Sequence, residues 1–139
     1  MRLNQDRLLD WCEYIGVQAL TKDIDGVIGI ARDGLIPATI ISHNLKLPMG
    51  VLMINRKTWN PSYLGKKFKN PLIVDDVSFS GRTLSLAKTR FPKSVTALLF
   101  VDKGKSHLAD IIACIANEWV YEFWDNGMMK GNHVYANRV

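Results

Sequence analysis

Five short apolar runs dominate the chain: VIGIA at 27–31, VLMI at 51–54, LIV at 72–74, VTALLFV at 95–101 and IIACIA at 111–116. None alternates apolar with polar residues. A strand with one wet face does alternate, so these runs predict strands covered on both faces. Such strands belong to parallel sheets with helices packed on either side. Helical periodicity fills several of the gaps. Residues 5–20 carry Leu8, Leu9, Trp11, Cys12, Ile15 and Ala19 on a broad apolar face. Residues 35–45 carry Leu35, Ile36, Ile40, Ile41 and Leu45, and residues 82–91 carry Leu84, Leu86, Ala87 and Phe91. The alternation predicts an α/β fold with a mostly parallel central sheet flanked by helices.

The 139 residues suit a single domain, 1–139. Apolar residues make up 47% and charged residues 22%, a balance that excludes disordered and collagen-like chains. No apolar run approaches the length of a membrane span, and MRLNQDRLLD lacks the apolar stretch of a signal peptide. A cytoplasmic protein is therefore expected. Cys12 and Cys114 have no ligand-like spacing and read as buried, reduced thiols. The net charge of +5 attracts anions, either nucleic acid or a small ligand rich in phosphate, and composition does not choose between them.

Ligands of open α/β sheets sit beyond the carboxyl ends of the strands. Three segments fall there: ARDG after the first strand, RKTWNPSYLGKK after the second and DDVSFSGRT after the third. The second has no clear period and reads as a lid or binding loop. In the third, Asp75 and Asp76 would repel each other if buried and unpaired. They make sense facing a ligand that donates hydrogen bonds or brings a cation, such as a ribose diol or Mg²⁺. The loop from Ser78 to Thr83 ends where a helix begins, so its backbone N–H groups and the helix's positive end can cradle a phosphate. Ser78, Ser80 and Thr83 add hydroxyls, and Gly81 permits a tight turn. Together these describe a site for a ribose 5-phosphate. The plainer reading is a solvated turn whose aspartates help start a helix.

LIVDDVSFSGRT resembles the PRPP-binding signature of type I phosphoribosyltransferases, with Ser80 where threonine is usual. GIARDGLIPATIISHNL resembles the pyrophosphate loop and following helix of the bacterial xanthine–guanine enzymes of that family, with Asp33 in place of a glycine. NEWVYEFWD resembles their hood segment, and FVDKGK precedes it where they carry a lysine that reads the purine's exocyclic oxygen. The resemblance runs from about residue 5 to residue 127. It implies the type I phosphoribosyltransferase fold, with a small C-terminal hood at about 103–127.

The resemblance also implies an activity and roles. PRPP and a purine base (guanine, xanthine or hypoxanthine) would give a nucleoside 5′-monophosphate and pyrophosphate, with Mg²⁺ as cofactor. Asp75, Asp76 and Arg32 would be the catalytic groups, Asp75 and Asp76 holding the ribose hydroxyls. Val77, Ser78, Phe79, Ser80, Gly81, Arg82 and Thr83 would complete the PRPP site. Ala31, Arg32, Asp33 and Gly34 would bind pyrophosphate, the Arg32 guanidinium being a good phosphate partner. Lys103, Trp119 and Val120 would receive the base, Trp119 by stacking. Asp76 and Asp125 would contact the metal. Arg56 or Lys57 would contribute from the lid. A homo-oligomer, dimer or tetramer, is expected, as is no nucleic-acid partner.

Two departures from the family pattern bear on function. Purine-specific relatives usually have an aspartate where this chain has Phe79, and phenylalanine can neither accept a proton nor bind a cation. Asp33 brings a negative charge to a pyrophosphate site, which needs Mg²⁺ or Arg32 to offset it. These motivate an alternative: a PRPP or nucleotide sensor on the same fold, without catalysis. A third reading is an RNA-binding regulator, using the basic and aromatic segment RKTWNPSYLGKKFK.

Overall fold

The computed structural model describes residues 1–124. In chain order these form β1 (Arg2–Leu3), α1 (Gln5–Ala19), β2 (Gly26–Ile30), α2 (Leu35–Leu45), β3 (Met49–Ile54), β4 (Pro61–Leu64), β5 (Pro71–Val77), α3 (Arg82–Arg90), β6 (Val95–Asp102), β7 (Ile111–Ala116) and β8 (Tyr121–Glu122). A 3-10 turn, Ser106–Leu108, lies between β6 and β7. Six strands make one sheet in the order β4-β3-β2-β5-β6-β7. All neighbours in it are parallel except β3 and β4. No described helix is long and apolar enough to cross a membrane.

The central strands bury both faces because α1 and α2 cover one side and α3 the other. Leu72, Val74, Ala97 and Leu99 pack in the same cluster as Leu8, Cys12 and Ile15 of α1 and Ala38 and Ile41 of α2. Ile28, Leu52, Ile73 and Leu98 point the other way and pack with Leu84 and Ala87 of α3. Only β2, β5 and β6 are covered throughout in the way the apolar runs imply. Towards the margins β3 exposes Met53 (57%), and the edge strand β7 exposes Ile115 (53%). On α1, Leu9 also stays on the surface.

The segment read as an unstructured lid contains a strand. Residues 61–64 add to β3 in antiparallel register, Leu52 opposite Tyr63 and Ile54 opposite Pro61. Four residues with a leading proline carry little strand signal, and an edge is where a proline is tolerated. The ring of Tyr63 fits because β3 has Gly50 beneath it; any β-carbon there would collide with the ring.

Two aspartates fasten the sheet where strands enter it. The Asp25 carboxylate accepts the N–H groups of Lys69 (2.6 Å) and Asn70 (2.9 Å), fixing the start of β5 beside β2. The Asp110 carboxylate accepts the Thr96 N–H (2.9 Å) and hydroxyl (3.1 Å), doing the same for β6 and β7. At α1 the Asn4 side chain caps the helix by accepting the Arg7 N–H at 2.8 Å. Both thiols are free; burial pushes the Cys12 thiol up to about 12, while Cys114 is half-buried.

Leu98 is fully buried at the centre of the sheet. Leu98→Ala is expected to cost about 2–5 kcal/mol of folding stability, read as a lower midpoint in urea with an unchanged slope.

Candidate active site

β2, β3 and β5 run parallel, so their carboxyl ends share one edge and the segments leaving them meet. A cavity of about 290 Å³ lies there. Asp33 lines it from the loop after β2, and Arg56 and Trp59 from the loop after β3. Asp75 to Ser80 and Thr83 line it from the end of β5 and the start of α3. The three segments singled out from sequence thus build one site.

Asp75 and Asp76 are 6% and 7% exposed at the end of β5. The Asp76 N–H donates to Asp75 Oδ1 at 2.9 Å. Burial, then the neighbouring Asp76 charge, pushes the Asp75 carboxyl well above the usual carboxylate range; that hydrogen bond and Arg56 pull it down only in part. The charged form of Asp75 is therefore disfavoured here unless a cation or hydroxyl donors face it.

The loop that follows is pre-shaped by its own hydroxyls. Ser78 Oγ accepts the Gly81 N–H at 3.0 Å, and Ser80 Oγ accepts the Arg82 N–H at 3.3 Å. Gly81 sits at φ 80° as the N-cap of α3, a left-handed position that favours glycine. The turn aims the positive end of a nine-residue helix at the cavity.

On the other wall, the Ala31–Arg32 peptide is cis. Asp33 faces the cavity, whereas Arg32 lies beside it and does not line it. Gly34 starts α2 in close contact with β2 and β5. A β-carbon there would lie 2.6 Å from the Ile30 carbonyl oxygen and 2.7 Å from that of Val74. From the loop after β3, Trp59 lies under the Arg82 guanidinium, 3.8 Å from its ring centroid. This contact fastens the outer wall to the Ser78–Thr83 loop. Lys57 is exposed.

The hood reaches the same place from the far end of the chain. β1 and β8 pair in parallel, Arg2 opposite Tyr121 and Leu3 opposite Glu122. The Trp119 carbonyl accepts from the Met1 ammonium at 2.8 Å. Val120 turns its side chain into the core. Trp119 stacks on Phe79, with ring centroids 5.9 Å apart and planes 4° from parallel. Lys103 is exposed, and its backbone N–H donates to the Ala116 carbonyl. It is Lys105 that reaches the Ser78–Thr83 loop, its ammonium donating to the Phe79 carbonyl at 2.7 Å. Asp125 and residues 126–127 of the expected hood lie outside the described residues.

Glu122 is a site residue that sequence reasoning missed. One carboxylate oxygen each from Asp33, Asp76 and Glu122 lie within 4.8 Å of one another. Three hard oxygen donors converging beside the Ser78–Thr83 loop are the donor set that suits Mg²⁺. A cation there would offset the negative charge that Asp33 brings. Glu122 gave no signal in sequence because only the β1–β8 pairing carries it there.

The sequence pattern of the phosphoribosyl transferase domain family matches residues 15–129. The xanthine-guanine phosphoribosyltransferase of Cereibacter sphaeroides is 28% identical over 113 residues, covering 71% of this chain and 68% of that protein. Its counterpart from Desulfotalea psychrophila is 27% identical over 135 residues, covering 88% and 84%. The crystal structure of purine phosphoribosyltransferase from Pyrococcus horikoshii Ot3 superposes with a TM-score of 0.75 at 26% identity, covering 89% of this chain and 92% of that one.

Two outcomes follow from the geometry. The folded protein keeps the Asp75 proton at pH values where the unfolded chain has lost it, so this group makes stability fall as pH rises above about 4. Asp75→Asn keeps the acceptor for the Asp76 N–H and removes that penalty. Its melting temperature should exceed the wild type's by about 3 °C or more at pH 7–8, and the gain should vanish as pH falls towards about 4. Gly34→Ala pushes a β-carbon into backbone that cannot yield, and should lower stability by about 1–3 kcal/mol in the same urea assay.

Proposed function

The chain belongs to the phosphoribosyl transferase domain family, and we propose that it transfers the 5-phosphoribosyl group of PRPP to a purine base such as guanine, xanthine or hypoxanthine. The products are a nucleoside 5′-monophosphate and pyrophosphate. One observation carries this reading: paired buried carboxylates, a serine- and threonine-bearing phosphate loop and an arginine share a single cavity of about 290 Å³.

In this reading Asp75 and Asp76 accept the ribose hydroxyls, and the Ser78–Thr83 loop takes the 5-phosphate. The hydroxyls of Ser78 and Ser80 then exchange their backbone partners for phosphate oxygens. The 31–34 loop receives the pyrophosphate, with Arg32 and Arg56 supplying positive charge. Holding both reactants in line and neutralising the leaving group is where such an enzyme gains most of its rate. Asp33, Asp76 and Glu122 would hold Mg²⁺, which when bound neutralises phosphate charge. Trp119 would stack on the base, and Lys103 would donate to its exocyclic oxygen.

Incubation with Mg²⁺, PRPP and a panel of purine bases, with pyrophosphate and nucleotide both quantified, tests the proposal. Turnover is expected with at least one 6-oxopurine. Asp76→Asn should lower kcat/KM by about 10²-fold or more, since it removes both a ribose contact and a metal ligand. No turnover with any base sinks the enzyme reading.

A second reading has its own support, because Phe79 offers no proton acceptor and covers a face of Trp119. It makes the protein a PRPP or nucleotide sensor. Saturable nucleotide binding by calorimetry, with no turnover, would favour it.

A further inference from the structure

We propose that Phe79 and Trp119 are the two walls of one slot for the base, so that the ring is recognised by stacking on both faces. The inference deepens the function proposed above and rests on that reading. It assigns Phe79 a base-contacting role in the very position where purine-specific relatives carry an aspartate.

Three features of the pair support a slot. The rings come from segments 40 residues apart, the phosphate loop and the hood, yet lie within 4° of parallel. Each is still 49% exposed, which an aromatic pair serving only as core would not be. Phe79 also lines the cavity that holds Asp75 and Asp76, so a base attached to a ribose seated there must lie close to it.

Both walls are held from behind. Tyr121 meets Trp119 edge-on, with centroids 6.4 Å apart and planes at 72°. Lys105 grips the backbone of Phe79 through its carbonyl and lies 5.9 Å from the ring centroid.

A base between the rings needs more room than the stacked pair leaves. Stacked planar rings sit about 3.4 Å apart, so a base between two walls needs about 6.8 Å. The rings stack on each other with centroids 5.9 Å apart, so their planes lie no further apart than that. Phe79 must therefore swing aside for a base to enter, and the ligand-free stack covers apolar ring surface meanwhile.

The exchange of an acid for a ring has a consequence for specificity. A hydrogen bond to one ring atom discriminates strongly among bases, whereas stacking accepts any planar π-face. The slot should therefore rank guanine, xanthine and hypoxanthine within about tenfold of one another in kcat/KM.

Calorimetry with two probes tests the slot without requiring turnover. Guanosine 5′-monophosphate carries base, ribose and phosphate, whereas ribose 5-phosphate lacks the base. Phe79→Ala should weaken the nucleotide by about 5- to 140-fold and leave ribose 5-phosphate within about twofold. Phe79→Tyr keeps the aromatic face and should restore nucleotide binding. Equal weakening of both probes would mean that Phe79 only shapes the loop, and unchanged nucleotide binding would mean that it touches no base; either overturns the inference. Nucleotide binding that follows this pattern, with no turnover by the wild type, would uphold the slot and defeat the enzyme reading alone.

Discussion

Two carboxylates buried side by side repel each other, and the rest of the site is organised around that fact. Asp75 and Asp76 can sit at the end of β5 because that strand lies between β2 and β6 and is covered by helices on both faces. Their charge is not cancelled by a salt bridge within 4 Å among the described residues; Arg56 acts on Asp75 only as a charge at longer range. Burial and the neighbouring carboxylate instead leave the charged form of Asp75 disfavoured. A ligand that brings hydroxyl donors or a divalent cation would relieve that penalty. The same unfavourable term that lowers stability thus makes the site selective for what can relieve it.

Closeness of backbones is the second condition. Gly34 brings the start of α2 against the carbonyls of Ile30 and Val74, so the segment after β2 and the end of β5 face each other with nothing between them. Trp59 closes the outer side through the Arg82 guanidinium. The cavity is therefore bounded by backbone, a lid ring and a helix end, and its polar groups point inward without needing a deep fold. Asp33 belongs to this arrangement. Beside Asp76 and Glu122 it would offer a third oxygen donor to a cation.

Much of this was legible in the chain. The apolar runs located the five longest strands because their burial leaves a continuous signature, and the helices followed from their apolar periodicity. Asp75, Asp76 and the Ser78–Thr83 loop stood out because two acids and a run of small residues at a strand's end have few structural uses. What escaped has a common cause. Pro61–Leu64 pairs only because β3 offers an open edge and Gly50 leaves room for Tyr63. Glu122, Lys105 and Trp59 have no local mark; each reaches the site through a contact spanning tens of residues. Lys103 and Lys105 look alike in sequence, and only the turn after β6 decides which one meets the phosphate loop.

The pairing of β1 with β8 also sets an order of assembly. The Tyr121 N–H donates to the Met1 carbonyl, so the hood is seated by the opposite end of the described chain. The residues that line the cavity all precede residue 84, but Trp119 can stack on Phe79 only once residues 121–122 have paired with residues 2–3. Closing so long a loop is the slowest kind of contact to form. During synthesis the residues that line the cavity are therefore all made before the strand that seats Trp119. The cavity lining and the Trp119 ring are thus separate in folding time as well as in sequence.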